Sequence, residues 1–476
     1  MIDELDVLER YLAETPHPTS EALGSIRQQL TLVMADPTAH EGRPRLPRHR
    51  VIPLQRVALA AAVLVVIVAI SVPLLASTSR RTIPPLKAPS WHLAGDIAQP
   101  NWKIEGSDGS GSYELECPSA EDCYASEPSI PPSGQGLPTG IMEVSHDGGR
   151  TWEVGLSAPA VDLYGLTCPS ADTCMITGED FASGSMEVTL YRTTNGGASW
   201  ASWPIGQSTG SGPMSCASAQ DCVASLSTAA PGGQGSADVA AVTSDGGVQW
   251  TIVSFPGSFR DYGLSCVGRH CVAVGQSPPN YELTPGQHGD GTVIYSDDGG
   301  LTWSTGSAPS TDTIEALTCA DATHCLAVEQ VLPNPAGRGT GEFLDTIIST
   351  DDGGETWTAT MGDEPDQWLI GSLSCPTALE CWISGIVHAP AETIPQVVSG
   401  KSTAPFIKET DDGGQSWMTV PLPDVDGIPI RQVGVVSCAD AAACFAVVQD
   451  PTSTGTAPST GLTQRQLVLS TATAAR

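Results

Sequence analysis

Two short motifs alternate through this 476-residue chain from about residue 113 onward, and their regularity limits the fold more than any other feature. The first is a pair of cysteines around a short polar stretch: Cys117 and Cys123, Cys168 and Cys174, Cys216 and Cys222, Cys266 and Cys271, Cys319 and Cys325, Cys375 and Cys381, Cys438 and Cys444. These seven pairs use all fourteen cysteines. The second follows each of the first six pairs and ends in tryptophan: SHDGGRTW at Trp152, TTNGGASW at Trp200, TSDGGVQW at Trp250, SDDGGLTW at Trp303, TDDGGETW at Trp357 and TDDGGQSW at Trp417. A fixed period of tens of residues marks a propeller or solenoid built from one repeated supersecondary unit, not two or three unrelated domains.

Each motif has a local physical reading. Asp or Asn before Gly-Gly is a turn signal, because the side chain accepts nearby backbone N–H groups while the glycines take positive φ. Strand-like runs flank it, such as MEVTLYRTT before and TWEVGLSA after, so the motif caps a hairpin between the third and fourth strands of a unit. Around the cysteines two apolar columns appear. Leu115, Leu166, Met214, Leu264, Leu317, Leu373 and Val436 stand two residues before the first cysteine, and Tyr124, Met175, Val223, Val272, Leu326, Trp382 and Phe445 follow the second. Each pair therefore closes the hairpin of the first and second strands. Aromatic residues at 5% and charged residues at 16%, with 50 Gly and 38 Pro, agree with an all-β chain of short strands and many turns.

The tryptophan motif resembles the Asp box, S/T-x-D-x-G-x-T/S-W, of the BNR repeat propellers. That family includes bacterial sialidases, sortilin-type receptors, some glucanases and the photosystem II assembly factor propellers. The resemblance covers about residues 91–476, with Asn195 in place of Asp in the second box and Gln249 in place of Thr/Ser in the third. It implies a seven-bladed β-propeller with Asp-box turns and intra-blade disulfides. Seven cysteine units against six boxes leaves one blade incomplete, and NWKIEG around Trp102 imitates TWEVGL around Trp152. The strand near Trp102 is therefore expected to form the outermost strand of the last blade and zip the ring shut, removing exposed sheet edges.

A separate region precedes the repeats. Residues 57–76, VALAAAVLVVIVAISVPLLA, carry no charge over the length a helix needs to cross a bilayer. Arg43, Arg45, Arg48, Arg50 and Arg56 before it outweigh Arg80, Arg81 and Lys87 after it, so the positive-inside rule predicts a cytoplasmic N-terminus and an exported remainder. A cleaved signal peptide is the rival reading, against which the length of residues 1–56 argues. The expected organisation is a cytoplasmic tail over 1–56, a single transmembrane helix over 57–76, a linker over 77–90 and an exported propeller over 91–476. In the tail, Leu5, Leu8 and Leu12, then Leu23, Ile26, Leu30 and Val33, recur at helical spacing and predict two short helices. They form either a membrane-proximal hairpin without separate activity or a docking element for a cytoplasmic partner.

Charge and motif chemistry narrow the function classes. The formal net charge of -32 excludes nucleic acid as a partner, since phosphate neutralisation needs clustered Lys and Arg. A zinc reading of the cysteines fails because each unit offers two thiols with no histidine at ligand spacing, and the exported side is oxidising. Seven local disulfides are expected, with no metal and no cofactor. Cysteine turns and boxes both follow odd-numbered strands, so they share a lower rim and leave the upper face to long, variable loops. At the channel mouth on that face, four to seven residues before each first cysteine, stand Tyr113, Asp162 with Tyr164, Arg260 with Tyr262, Asp312 with Glu315, Trp368 and Arg431. Their polar and aromatic character suits recognition of a protein or glycan. The sialidase resemblance would require three arginines around the substrate, a Tyr nucleophile with a Glu partner and an Asp acid/base. No Arg-Ile-Pro motif occurs, and Arg260, Arg338 and Arg431 are the arginines placed to reach the upper face. A membrane-anchored, non-catalytic binding or scaffold module is the leading expectation, with a sialidase-like glycoside hydrolase or an envelope-complex assembly factor as alternatives.

Overall fold

The computed structural model describes residues 90–97, 114–129, 137–181, 187–208, 210–229, 236–277, 290–309, 312–331, 344–360, 367–389, 397–398, 401–451 and 466–471. Contacts divide the chain into Met1–Pro85 and Leu86–Arg476, and the described residues belong to the second unit. The expected cytoplasmic helices, the apolar run 57–76 and most of the linker lie outside the described residues. Among the described residues no helix is long and apolar enough to cross a membrane.

Seven antiparallel sheets stand in a ring. Their inner strands are Glu114–Glu116, Val161–Ser170, Gly210–Cys216, Arg260–Val267, Thr313–Cys319, Gln367–Ser374 and Val433–Asp440. Each inner strand touches the inner strands of its two neighbours, the last returning to the first. From each of the first six, the chain runs outward through successive hairpins to a fourth strand, then crosses to the next blade. The described part of the second unit is therefore a seven-bladed β-propeller.

The blades are stitched at the hub by a repeated bond. The hydroxyl just before the first cysteine of one blade accepts the N–H of the first cysteine of the next. Thr167 accepts from Cys216 at 3.2 Å, Ser215 from Cys266 at 2.9 Å, Ser265 from Cys319 at 3.2 Å and Ser374 from Cys438 at 3.1 Å. Ser437 completes the ring by accepting from Cys117 at 3.0 Å, across 320 residues of sequence. All seven cysteine pairs are disulfides, each joining the first and second strands of one blade. Loops this short gain about 2 kcal/mol each in the chain-entropy account, so the bridges act locally, holding hairpin ends against fraying.

The boxes fold as the turn chemistry requires. In the first, Asp147 Oδ1 accepts the N–H groups of Arg150 and Thr151, both at 2.9 Å, and Oδ2 accepts the Thr151 hydroxyl at 2.7 Å. Gly148 and Gly149 have φ of 73° and 78°, and Trp152 Nε1 donates to the Gly149 carbonyl at 3.0 Å. Asn195 reproduces the pattern in the second box, its Oδ1 accepting from Ser199 N and its Nδ2 donating to the Ser199 hydroxyl. Gln249 keeps the backbone bond to Asp245 but has no hydroxyl to offer. In every box the first glycine donates to a carbonyl of the cysteine turn in its own blade, as Gly148 does to Glu121 and Gly299 to Arg269, each at 2.8 Å. Both turn types thus occupy one rim, as expected.

The ring closes in the manner expected, but through a different strand. The outermost strand of the seventh blade is His92–Ile97, which pairs antiparallel with the C-terminal strand Gln466–Ser470. Trp102 lies outside the described residues. The tryptophan that matters is Trp91. Each box tryptophan packs back on the preceding blade: Trp200 on Tyr124 and Val144, Trp250 on Met175 and Leu190, Trp303 on Val223 and Ala240. Trp91 does the same, its ring edge-on to Trp382 of the sixth blade at 5.7 Å. Ser90-Trp91 therefore supplies the last two residues of a seventh box. Thr471 supplies its first, holding Cys444 through paired 2.9 Å bonds in the register that Ser145 and Thr193 occupy opposite Cys123 and Cys174. With no Gly-Gly turn between them, Trp91 Nε1 has no hydrogen-bond partner among the described residues.

Trp91→Ala should lower the unfolding free energy by about 3–5 kcal/mol, as for a large aromatic removed from a core, with the loss read from the urea midpoint of the disulfide-intact protein. An effect below 1 kcal/mol would show that the clasp is carried elsewhere.

Candidate functional site

The channel at the hub holds a cavity of about 650 Å³. It is bordered by Glu114 and Glu116 from the first blade, Tyr164 from the second, Asp261 and Tyr262 from the fourth and Glu315 from the fifth. Between them lie small or apolar positions, including Gly165, Gly212, Gly263, Ala316 and Gly371. The strands aim these side chains inward through an irregularity in register at the same place. A bulge falls between Tyr164 and Thr167, Asp261 and Gly263, and Ile314 and Ala316. Such a bulge turns a side chain out of the regular alternation.

The expected candidates separate into three groups. Tyr164, Tyr262 and Glu315 border the cavity. Asp162 sits one step behind, accepting the Tyr164 hydroxyl on Oδ2. Arg260 is spoken for: its Nη1 donates to Ser227 Oγ at 3.0 Å and lies 3.5 Å from buried Asp238. Trp368 is 1% exposed and belongs to the core, with Phe406 beside it and Lys408 Nζ 4.0 Å from its ring centre. Arg431 is exposed, and neither it nor Asp312 borders the cavity. Tyr113 lies outside the described residues.

Three residues that the sequence reasoning passed over complete the lining: Glu114, Glu116 and Asp261. The signal was present in the aligned columns. One residue before the first cysteine, six blades carry Ser or Thr and the first carries Glu116. Three residues before it, six blades carry Gly, Pro, Ala, Ser or Val and the first carries Glu114.

These carboxyls are not equivalent. Glu114 is partly structural, accepting Gly165 N and Leu166 N of the second blade, both at 2.6 Å. Asp238 and Asp345 make the same kind of stitch, accepting Asp261 N at 2.8 Å and Ile370 N at 2.6 Å. Glu116 has no hydrogen-bond partner among the described residues. Burial, reinforced by the neighbouring Glu114 charge, pushes it up to about 8. Burial likewise pushes Asp345 up to about 7, against the bond from Ile370. Asp261 is raised well above the carboxylate range by burial and by Asp238, and the Ser225 hydroxyl and Gly263 N–H do not compensate. Its Oδ2 has no hydrogen-bond partner among the described residues. Among the described residues, no Lys, Arg or His borders the cavity and no group of acids, cysteines and histidines is arranged to hold a metal ion.

The two kinds of carboxylate give opposite pH dependences. In the box, Asp298 is slightly desolvated, but bonds from Thr302 and Ser296 hold it below its ordinary value, so its contribution is present above about pH 4 and fades as pH falls. Glu116 is raised, so its contribution is complete below its ordinary 4.5 and is lost as pH rises through about 8. Stability should therefore peak at mildly acidic pH and decline toward pH 8.5 in urea titrations. Glu116→Gln should flatten the alkaline side, raising stability at pH 8.5 by about 1 kcal/mol, the low end of the range for an unpartnered polar group, because Glu116 is only partly buried.

The BNR/Asp-box repeat family model matches residues 294–305, the end of the third strand, the box and the fourth strand of the fourth blade. Among solved structures, YCF48 bound to D1 peptide is 14% identical, covering 80% of this chain and 97% of that one at a TM-score of 0.45. The GH74 enzyme of Niastella koreensis is 12% identical, covering 75% of this chain and 52% of that one at 0.45. The phage phi92 endosialidase is 9% identical, covering 80% and 68% at 0.41. No curated protein sequence matches. Six Asp boxes in register stand on a disulfide-braced ring of seven blades, and the box of the fourth blade matches the BNR/Asp-box repeat model.

Proposed function

We propose that the protein is a non-catalytic binding module that meets its ligand at the central channel, displayed outside the cytoplasm on a membrane anchor formed by residues 57–76. The observation that carries this reading is the lining of the cavity. It pairs tyrosines with carboxyls on a rigid hub, and Arg260, beside Asp261 in the sequence, is held by Asp238 and Ser227, while Arg338 lies outside the described residues. A sialidase-like site would need arginines free to clamp an anionic sugar. Export is supported by the pairing of all fourteen cysteines, since disulfides persist on the oxidising side of a membrane. The rim shared by boxes and cysteine turns is occupied by bonds that hold the fold, which leaves recognition to the hub and the opposite loops. The N-terminal segment 1–56 is proposed to face the cytoplasm, where its two amphipathic stretches are available to a partner.

The full-length protein should show no turnover of aryl-glycosides, including aryl sialosides, between pH 4.5 and 8. Affinity capture from its native envelope should retain a defined protein or glycan, and Tyr262→Ala should reduce that capture at least tenfold while leaving the urea midpoint within about 1 kcal/mol. Hydrolysis abolished by Glu315→Gln would overturn the reading in favour of the enzyme.

A further inference from the structure

We infer that the hub channel binds an organic cation bearing hydrogen-bond donors, such as the guanidinium or ammonium group at the end of an arginine or lysine side chain of a protein ligand. This rests on the channel being the binding site and adds the chemistry of what enters it.

Four observations converge. The cavity of about 650 Å³ is large enough to accept a long side chain together with water. Carboxyls reach it from separate walls of the ring, Glu114 and Glu116 from the first blade, Asp261 from the fourth and Glu315 from the fifth, and no positive side chain among the described residues borders it. Asp261 is only 4% exposed, yet among the described residues its Oδ2 is without a hydrogen-bond partner, a deficit that an N–H donor from a ligand would make good. Tyr164 and Tyr262 contribute two aromatic rings to the same lining, as sites for alkylammonium and guanidinium groups commonly do.

The departures from repeat symmetry point the same way. A hydroxyl at the position of Glu116 would latch the first blade to the second, as Thr167, Ser215, Ser265, Ser374 and Ser437 do at their junctions. At this one junction the latch position carries a carboxyl instead. Burial holds Glu116 and Asp261 protonated beyond the usual range, so the channel avoids packing several negative charges together. A bound cation would favour the ionised forms and release protons. Of the other titratable groups nearby, Glu114, Asp162, Glu315, Tyr164 and Tyr262 are also raised, chiefly by burial. Arg260 is the neighbouring fixed cation, and Asp238 holds it.

Isothermal titration of the full-length protein with agmatine, which carries a guanidinium and an ammonium on a four-carbon stem, tests this. One site per chain is expected, with affinity at least fivefold higher at pH 8 than at pH 5.5 and proton release visible as a dependence of the heat on buffer ionisation. Glu116→Gln and Glu315→Gln should each weaken binding at least fivefold, and Tyr262→Phe, which keeps the ring, should weaken it less than Tyr262→Ala. The urea midpoints of these variants report separately on folding. Absence of agmatine binding, unchanged affinity in the Glu116→Gln/Glu315→Gln double variant, or stoichiometric displacement of agmatine by calcium would overturn the inference. Loss of envelope capture in Tyr262→Ala despite failed agmatine binding would leave the channel as a binding site and remove only its cationic specificity.

Discussion

An indole lying on the blade before it is the contact on which the ring depends. Each blade is a twisted sheet with one face toward each neighbour, and a sheet so poor in aromatic residues has little else with which to fill the wedge between blades. The box turn delivers the tryptophan at the start of the outer strand and fixes its Nε1 on a glycine carbonyl, so the ring has one orientation. The hydroxyl stitches at the hub hold five of the junctions, and the indoles farther out add a second contact at a larger radius. Disulfides guard the hairpin ends in between. Because most junctions repeat the same two contacts, the blades close with little need for long-range specificity beyond the final one.

Most of this architecture was legible from spacing alone. Asp-Gly-Gly followed by Trp is a turn with a packing residue attached, and the apolar columns beside the cysteines read directly as buried strand positions. The closing strand was misplaced by the same method. NWKIEG around Trp102 has the better alternation after its tryptophan, whereas Trp91 is followed by His92-Leu93-Ala94-Gly95, a weak strand by composition. What decided the matter was Ser90 before Trp91, matching the Ser/Thr-Trp ending of the boxes, together with a partner strand that begins at Gln466, nearly four hundred residues away. Pairings of that separation leave no local trace.

The hub was legible in part, for a different reason. Tyr164 and Tyr262 stood out because aromatic residues are rare in this chain, and Glu315 because it falls in the same stretch before a cysteine pair. Trp368 stood out equally and lies buried against Phe406 and Lys408, since position along a strand does not reveal which way a bulge turns the side chain. Glu114 and Glu116 were hidden by the cysteine unit beside them, which invited a structural reading of the whole segment. Repeat proteins offer a corrective: where six blades agree and one differs, the residue that differs has been released from the duty the others perform.

The split box gives the ring a seam. The C-terminal strand stops at the first residue of a box, and the N-terminal strand starts with its last two, so both ends of the folded unit arrive at the same turn of the same blade. In covalent terms the propeller is a cycle cut at one Asp-box loop, and the cut is interchangeable with any of the other six. A chain joined from Thr471 to Ser90 through an Asp-Gly-Gly turn and reopened in another box would be a circular permutant in which every indole has its glycine carbonyl except the one at the new opening. The order of the blades in the gene is thus a matter of where the cycle was opened, while the hub, with its carboxyls on the first, fourth and fifth blades, stays the same.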